Sequence, residues 1–547
     1  MRTPLLLYVL ALVVRAVLVG TYPDPAYPDS YYYADVAKAL HAGHGLNVDF
    51  VWIFAEVGGS IPANPVLPIP SNAHWLPLSS FLQAASLNVF GDTPVALGIP
   101  MILIGALAAP LTWLIAKEAG ARREVQLGAG ILSAIPAAGT VFMGQPENFA
   151  ILQPLVAATL WLTARGLKGD GRSYALAGGL VGLASIARND GFLLGAAVGL
   201  IFIADRVGAW RTKRPPRIPF VAAVGCVALY LVVVAPWWIR QIDVFGSISP
   251  TATSGRALWI RTMAEWNSIT IPATPASFFA QGIGSLVSSR VLGLTAAIAN
   301  FGVVICSVVL LPLVVIGAWA RRRSLDFRPW FLYTFIVFAG AAIIWPVHVP
   351  GGAFIHSSIG LGPQAYILAL EGVLLMVGWI ARRRPAWDVR TAGPLFVAGI
   401  VALTVITAPI FGAGIRASWD ATRQDRIKLA AEMDRLAIPA DDRLLSIDAA
   451  GYKYWTGRPG VVTPDDPIAT IEAVARAYGA RWLVLERNDI AAALGPVLEG
   501  KARPPWIGPP AFSIAATDGG APRLALYPVC TAAGDVRCPA GTARAAP

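Results

Sequence analysis

Charge is scarce in this 547-residue chain: Asp, Glu, Lys and Arg make up 14% of it, against 56% hydrophobic residues. That balance excludes an ordinary soluble domain, because one water-soluble core could not bury so much apolar surface. Cysteine is scarcer still, with four in all, which excludes a disulfide scaffold. Cys226 and Cys306 fall inside apolar runs, where inert packing is expected. Cys530 and Cys538 lie near the C-terminus and are a candidate disulfide; no His accompanies them, which argues against a metal site there. The chain also lacks an internal repeat and a Gly-rich phosphate loop, so ATPase chemistry is not expected. Its net charge of +11 sits in short clusters between apolar runs rather than along one aromatic-studded face, so the expected partner is a bilayer and not a nucleic acid.

A spanning helix needs about 20 mostly apolar residues. About eleven segments qualify by that standard, over residues 4–20, 94–116, 125–142, 149–164, 173–187, 191–204, 218–239, 294–320, 329–346, 362–381 and 391–415. Alternating the connections between two sides puts most basic residues on one side. That side holds Lys117, Arg122 and Arg123; Arg165, Lys168 and Arg172; Arg206, Arg211, Lys213, Arg214 and Arg217; Arg321, Arg322, Arg323 and Arg328; and Arg382, Arg383, Arg384 and Arg390. The other side is much longer, yet before the C-terminal segment it carries only Lys38, Arg188, Arg240, Arg256, Arg261 and Arg290. Short cytoplasmic loops are the basic ones, so the N-terminus is expected in the cytoplasm and the C-terminal segment outside. Segments 173–187 and 191–204 are short enough to form a hairpin that only dips into the bilayer. Arg15 interrupts the first apolar run and no small-residue cleavage site follows it, so an uncleaved anchor is expected there.

The expected organisation is a polytopic α-helical membrane module over residues 1–415, with long outer loops at 21–93 and 241–293, and a small extracytoplasmic α/β domain over 416–547. The tail alternates helix-like stretches at 425–436 and 468–478 with strand-like ones at 443–447, 481–485 and 523–527.

Residues suited to chemistry gather in the outer loops. Asp29 follows the first span and precedes Tyr31, Tyr32 and Tyr33 on an amphipathic stretch that could lie along the interface; on spacing alone the helix-cap reading is the favoured one. His74 and Trp75 fall near headgroup level, where Trp is commonly an anchor. Glu147 stands before the fourth span, where a helix dipole favours a carboxylate. Arg188 and Asp190 interrupt an apolar region in which each charge costs about 2.5–3.5 kcal/mol, so the chain turns there or pairs them in a cavity. Arg240, in Pro236-Trp237-Trp238-Ile239-Arg240, suits an anionic partner or lipid phosphate. His348 and His356 flank a Gly-rich loop, a spacing unlike that of a metal site.

In their order, these pieces resemble the GT-C superfamily of membrane glycosyltransferases, and within it the branch of protein O-mannosyltransferases and aminoarabinose transferases. The resemblance rests on the Asp and Tyr-rich helix with Gly43-His44-Gly45 after span one, the aromatic-Pro-Leu segment Trp75-Leu76-Pro77-Leu78, Glu147, the Arg188-Asn189-Asp190-Gly191 turn, Pro236-Trp237 through Arg240 with Phe245-Gly246, His356-Ser357, and a tail containing Tyr452, Tyr454, Thr456, Gly457, Arg458 and Pro459. It implies transfer of a sugar from a polyprenyl-phosphate donor to a protein, lipid or polysaccharide acceptor, with Asp29 as general base and inversion at the anomeric carbon. Arg240 would hold the donor phosphate, with Arg256 and Arg261 in reserve. Glu147 and Asp190 would orient the acceptor or, with Asp29, hold a divalent metal. Tyr31, His74, Trp75, Arg188, His348 and His356 are further pocket candidates. Where the family commonly has an Asp-Glu pair, this chain has Ser30 after Asp29. The competing reading is a secondary transporter or lipid flippase, which explains less, because the unusual residues lie toward one face instead of at mid-membrane.

Overall fold

The computed structural model describes residues 2–250, 256–384, 387–530 and 537. The chain divides into two compact units. A helical unit holds Met1–Pro25, Leu76–Arg240 and Ile283–Arg416; an α/β unit holds Ala26–Trp75, Gln241–Gly282 and Ala417–Pro547.

Among the described residues, eight helices are long and apolar enough to cross a membrane, or nine if one bent pair counts as a span. They are Arg2–Thr21, Pro94–Glu118, Phe149–Leu167, Asn189–Thr212, Phe220–Phe245, Gly282–Ile305, Gly362–Ala381 and Val389–Arg435. The bent pair, Arg123–Ala134 and Ala137–Gly144, turns by 47°. Pro136 causes the bend, since the residue before a proline is pushed out of the helical region, and Ala137 follows in the left-handed region at φ 52°. Eight or nine spans among the described residues are fewer than the roughly eleven expected from the sequence; two further apolar helices, Leu310–Arg321 and Arg328–Ile344, are shorter.

One expected span needs correcting. Residues 294–320 do not form one helix: the helix begins at Gly282, ends in a π-helical turn at Phe301–Ile305, and restarts at Leu310. Pro312 accounts for the interruption, because its ring excludes the carbonyl four residues back, at Val308. Ser307 and Val308 take φ of 44° and 62°. The restarted helix then packs tightly on Gly362–Ala381, where a Cβ on Gly317 would fall 1.9 Å from the Leu368 carbonyl oxygen and one on Gly372 2.2 Å from that of Leu313. Only glycine lets the two backbones approach so closely. Arg15 is fully buried within the first span, where its guanidinium donates to the Gln153 side chain at 3.1 Å and to the Ala134 carbonyl at 3.3 Å.

The α/β unit is built on a six-stranded sheet. Its strands, in chain order and with a separate two-stranded ribbon, are β1 (Asn47–Val48), β2 (Phe50–Val51), β3 (Ile69–Pro70), β4 (Arg443–Ser446), β5 (Gly460–Val462), β6 (Ala480–Glu486), β7 (Phe512–Ile514) and β8 (Leu524–Pro528). The sheet runs β2-β5-β4-β6-β8-β7, parallel from β2 to β6 and antiparallel beyond, while β1 and β3 form the ribbon. The first long loop therefore supplies an edge strand to the tail's sheet, with Phe50 opposite Gly460 and Val51 opposite Val461.

Side chains alternate across a strand, and β6 shows it: Leu483 and Leu485 enter one core, Trp482 and Val484 the other. Leu429 and Met433 of the long helix Val389–Arg435 cover the second face. The first face is closed by Tyr31, Tyr32 and Tyr33 of helix Pro28–His41 together with Phe50, Ile53 and Trp75. That helix turns its aromatic face to the sheet. Tyr31, Tyr32, Tyr33, Val36 and Ala37 are all buried, because the sheet offers them an apolar surface to cover. Cys538 lies outside the described residues, and Cys530 is buried in the core of the α/β unit.

Candidate active site

In the α/β unit, helix Pro28–His41 begins at Tyr27, and Ser30 caps it. The Ser30 hydroxyl accepts from the Ala26 and Tyr27 amides at 3.0 and 3.1 Å and donates to the Tyr27 carbonyl at 2.8 Å. Asp29 is thus not the cap; it sits in the first turn, where the dipole favours its charge. Trp75 fixes it, the indole N–H donating to Asp29 Oδ1 at 2.8 Å.

Trp75 is itself buried and stacks on Tyr32 with ring centroids 4.2 Å apart, so it is a core residue and not an interface anchor. The Tyr32 hydroxyl donates to Glu56 Oε1 at 2.8 Å and accepts from the Asn72 amide at 2.7 Å. Glu56 Oε2 accepts from the Trp52 amide at 3.0 Å. Burial pushes Glu56 up to about 7 against these bonds, which pull the other way. Sequence reading missed Glu56 and Asn72 and gave Tyr32 no role of its own; a single acid inside Val51-Trp52-Ile53-Phe54-Ala55-Glu56-Val57 was the available signal.

Tyr31 receives a bond from the Trp455 indole at 2.9 Å and lies beneath the Arg426 guanidinium, whose own partners are Asp448 and Glu486. His74 packs edge-on against Trp75 and tilts against Trp266. The second long loop uses its arginines on itself. Arg261 pairs with Glu265, Nε to Oε1 being 2.6 Å, and Arg256 donates to the carbonyls of Glu265 at 2.8 Å, Ser268, and Ile271 at 3.3 Å.

The helical unit assembles a second group. Glu147, fully buried, precedes helix Phe149–Leu167 in a turn whose Pro146 carbonyl accepts from Gln83 at 2.8 Å. His356, on the short helix Ala353–Ile359, stacks on Phe149 at 4.0 Å and brings Nδ1 within 3.5 Å of Glu147 Oε2. Burial and the field of Arg188 push the His356 imidazole well below its usual range, so it is neutral at physiological pH. Arg188 pairs with Asp190 at 2.8 Å, and the Ser357 hydroxyl bonds the other Asp190 oxygen. Asp190 lines a small cavity with Leu152, Tyr333, His356 and Ser357 around it. His348 lies in the turn before Ala353, its amide bonded to the Trp345 carbonyl at 3.1 Å. Arg240 stands over the Trp237 ring at 5.0 Å. A neutral imidazole nitrogen beside a carboxylate oxygen is a donor pair that a divalent cation could bridge.

Residues 71–239 match the dolichyl-phosphate-mannose-protein mannosyltransferase family. The fold is similar to that of ArnT from Cupriavidus metallidurans bound to undecaprenyl phosphate, at a TM-score of 0.55 and 13% identity, over 99% of each chain. The apo structure of the same protein is similar at 0.54 and 14%, over 96% of this chain and 97% of that one. This chain is thus similar to that mannosyltransferase family over residues 71–239 and shares the ArnT fold. No curated protein matches the sequence of this chain. Its multi-pass membrane character follows from the apolar helices and the shared fold alike.

Proposed function

We propose that this transferase moves a sugar from a polyprenyl phosphate to a hydroxyl acceptor on the extracytoplasmic face, with inversion. The observation that carries the reading is Asp29, held in the first turn of its helix by the Trp75 indole. A hydroxyl is a poor nucleophile until a positioned base takes its proton. The acceptor oxygen attacks the anomeric carbon as its proton passes to Asp29, the bond from that carbon to phosphate oxygen breaks, and polyprenyl phosphate leaves with the electron pair. Cationic side chains stabilise a departing phosphate. Arg240 is the proposed ligand, since Arg256 and Arg261 are engaged by their own loop. The ArnT structure with undecaprenyl phosphate supports the lipid class of the donor, and the one-sided distribution of Lys and Arg supports the outward face.

The test is Asp29→Asn, which keeps the side-chain shape and an oxygen for Trp75. Transfer from a radiolabelled polyprenyl-phosphate sugar should fall by about 10²–10⁴-fold, with binding of polyprenyl phosphate retained. Undiminished transfer would remove Asp29 from the mechanism. A transporter, by contrast, would move the intact lipid between leaflets and form no glycosidic product.

A further inference from the structure

A groove of about 790 Å³ opens between helices Gly171–Ala187, Phe192–Thr212 and Phe220–Phe245 of the helical unit. Its walls are almost wholly apolar and include Tyr174, Gly199, Phe202, Phe220, Val224 and Tyr230. Phe220 and Val224 are exposed, so the groove opens on the outer surface of the helices, and its apolar walls suit an acyl or isoprenoid chain.

Headgroup selection requires more than an apolar wall, and one end of the groove supplies it. Phe202 lies 6.3 Å from Tyr174 and 6.4 Å from Phe220, closing that end with aromatic rings. The Arg206 guanidinium stands 4.8 Å over the Phe202 ring and donates to the Ile218 carbonyl at 2.6 Å, which fixes a cation at the rim. Buried Asp205 shapes the connecting loop by accepting from the Arg217 and Ile218 amides at 2.7 and 3.0 Å and pairing with Arg214 at 2.9 Å. Asp205 thereby neutralises Arg214 alone. Arg211, Lys213 and Arg217 remain exposed, and among the described residues no acid pairs with them. A chain in the groove thus ends beside one fixed and three exposed cations.

We propose that this groove is a binding site for an anionic phospholipid, its tails between the three helices and its headgroup phosphate at Arg206, Arg211, Lys213 and Arg217. The site is not the proposed donor site. Arg240 is 20 residues further along helix Phe220–Phe245, about 30 Å at 1.5 Å per residue, and so at the opposite end of the hydrocarbon layer. Nothing in the proposal depends on the transfer reaction.

Native mass spectrometry of the detergent-purified protein tests it, with phosphatidylglycerol, phosphatidylcholine and undecaprenyl phosphate added separately. Wild type should retain phosphatidylglycerol over phosphatidylcholine. Neutralising Arg211, Lys213 and Arg217 by Gln should lower that preference by about fivefold for each charge removed. Gly199→Phe fills the groove, and a Cβ at this position meets nothing within 4 Å, so the fold should be kept; retention of phosphatidylglycerol should be lost. Equal retention of the two phospholipids by wild type would overturn the proposal, as would unchanged binding in Gly199→Phe. Retention of undecaprenyl phosphate alone, abolished by Gly199→Phe, would also overturn it and give the groove to the donor's isoprenoid chain.

Discussion

A base that must collect a proton needs partners that hold it still without cancelling its charge. Trp75 does this for Asp29 with a neutral N–H donor, and the Tyr32, Glu56 and Asn72 network supports the Trp75 ring from behind. Glu56 gives the network a pH signature. Its folded affinity for the proton exceeds that of an ordinary carboxyl at 4.5, since burial raises it to about 7. The stability this carries is fully present below about pH 4.5 and is lost as the pH rises through 7, because the folded state holds the extra proton across that window. Thermal unfolding measured from pH 5 to 8 should show a decline in wild type that is shallower in Glu56→Gln. In the helical unit, Glu147 and His356 are the proposed protein ligands for a divalent cation, and neutral imidazole is the ligating form. Calorimetric titration of chelator-treated protein with Zn²⁺ or Mn²⁺ should show binding that Glu147→Gln weakens by about 10-fold or more. At this scale the sequence revealed the acids but not their partners. Asp29 and Glu147 announce themselves as carboxylates beside apolar spans, whereas Trp75 reads as an anchor until its contact with a residue 46 positions away is known.

Among the elements, helix Pro28–His41 shows what Ser30 contributes beside Asp29. Its hydroxyl makes three backbone bonds within full burial, so Ser30→Ala should lower stability by about 1–2 kcal/mol, read as a reduced unfolding temperature with Asp29 still present. Long uniform apolar runs were legible as spans because hydropathy alone specifies them, as for Arg2–Thr21 and Gly362–Ala381. The break at 306–309 was not, since one serine, Ser307, and Pro312 are its only marks in an otherwise apolar run. In the tail, β4, β6 and β8 and helix Ile468–Ala477 carry the expected periodicity. Strands of two or three residues, β2, β5 and β7, are too short to show one.

For the whole molecule, orientation is the main open expectation, and labelling decides it. In intact cells a membrane-impermeant maleimide should react with Lys501→Cys and not with Arg322→Cys, both of which replace exposed side chains, with Arg322→Cys reacting only after permeabilisation. The reverse pattern would turn the proposed acceptor side inward. The sequence placed an α/β domain in the tail, but it could not show that residues 26–75 and 241–282 fold with it, because pairing between distant segments leaves no local periodicity. Asp466 illustrates such a link, accepting from the Ile269 amide at 2.7 Å across almost 200 positions.

The pairing of β2 with β5 also sets a schedule for biosynthesis. Phe50 leaves the ribosome some 410 residues before Gly460, its opposite number, an interval of roughly 20–80 s at elongation rates of about 5–20 residues per second. Throughout that time Tyr31, Tyr32 and Phe50 have no sheet to cover and present bare aromatic surface to whatever the nascent chain meets. A cell making this protein must therefore shelter its first loop until the last fifth of the message has been read, and a chain cut short before the tail would be left with that surface permanently exposed.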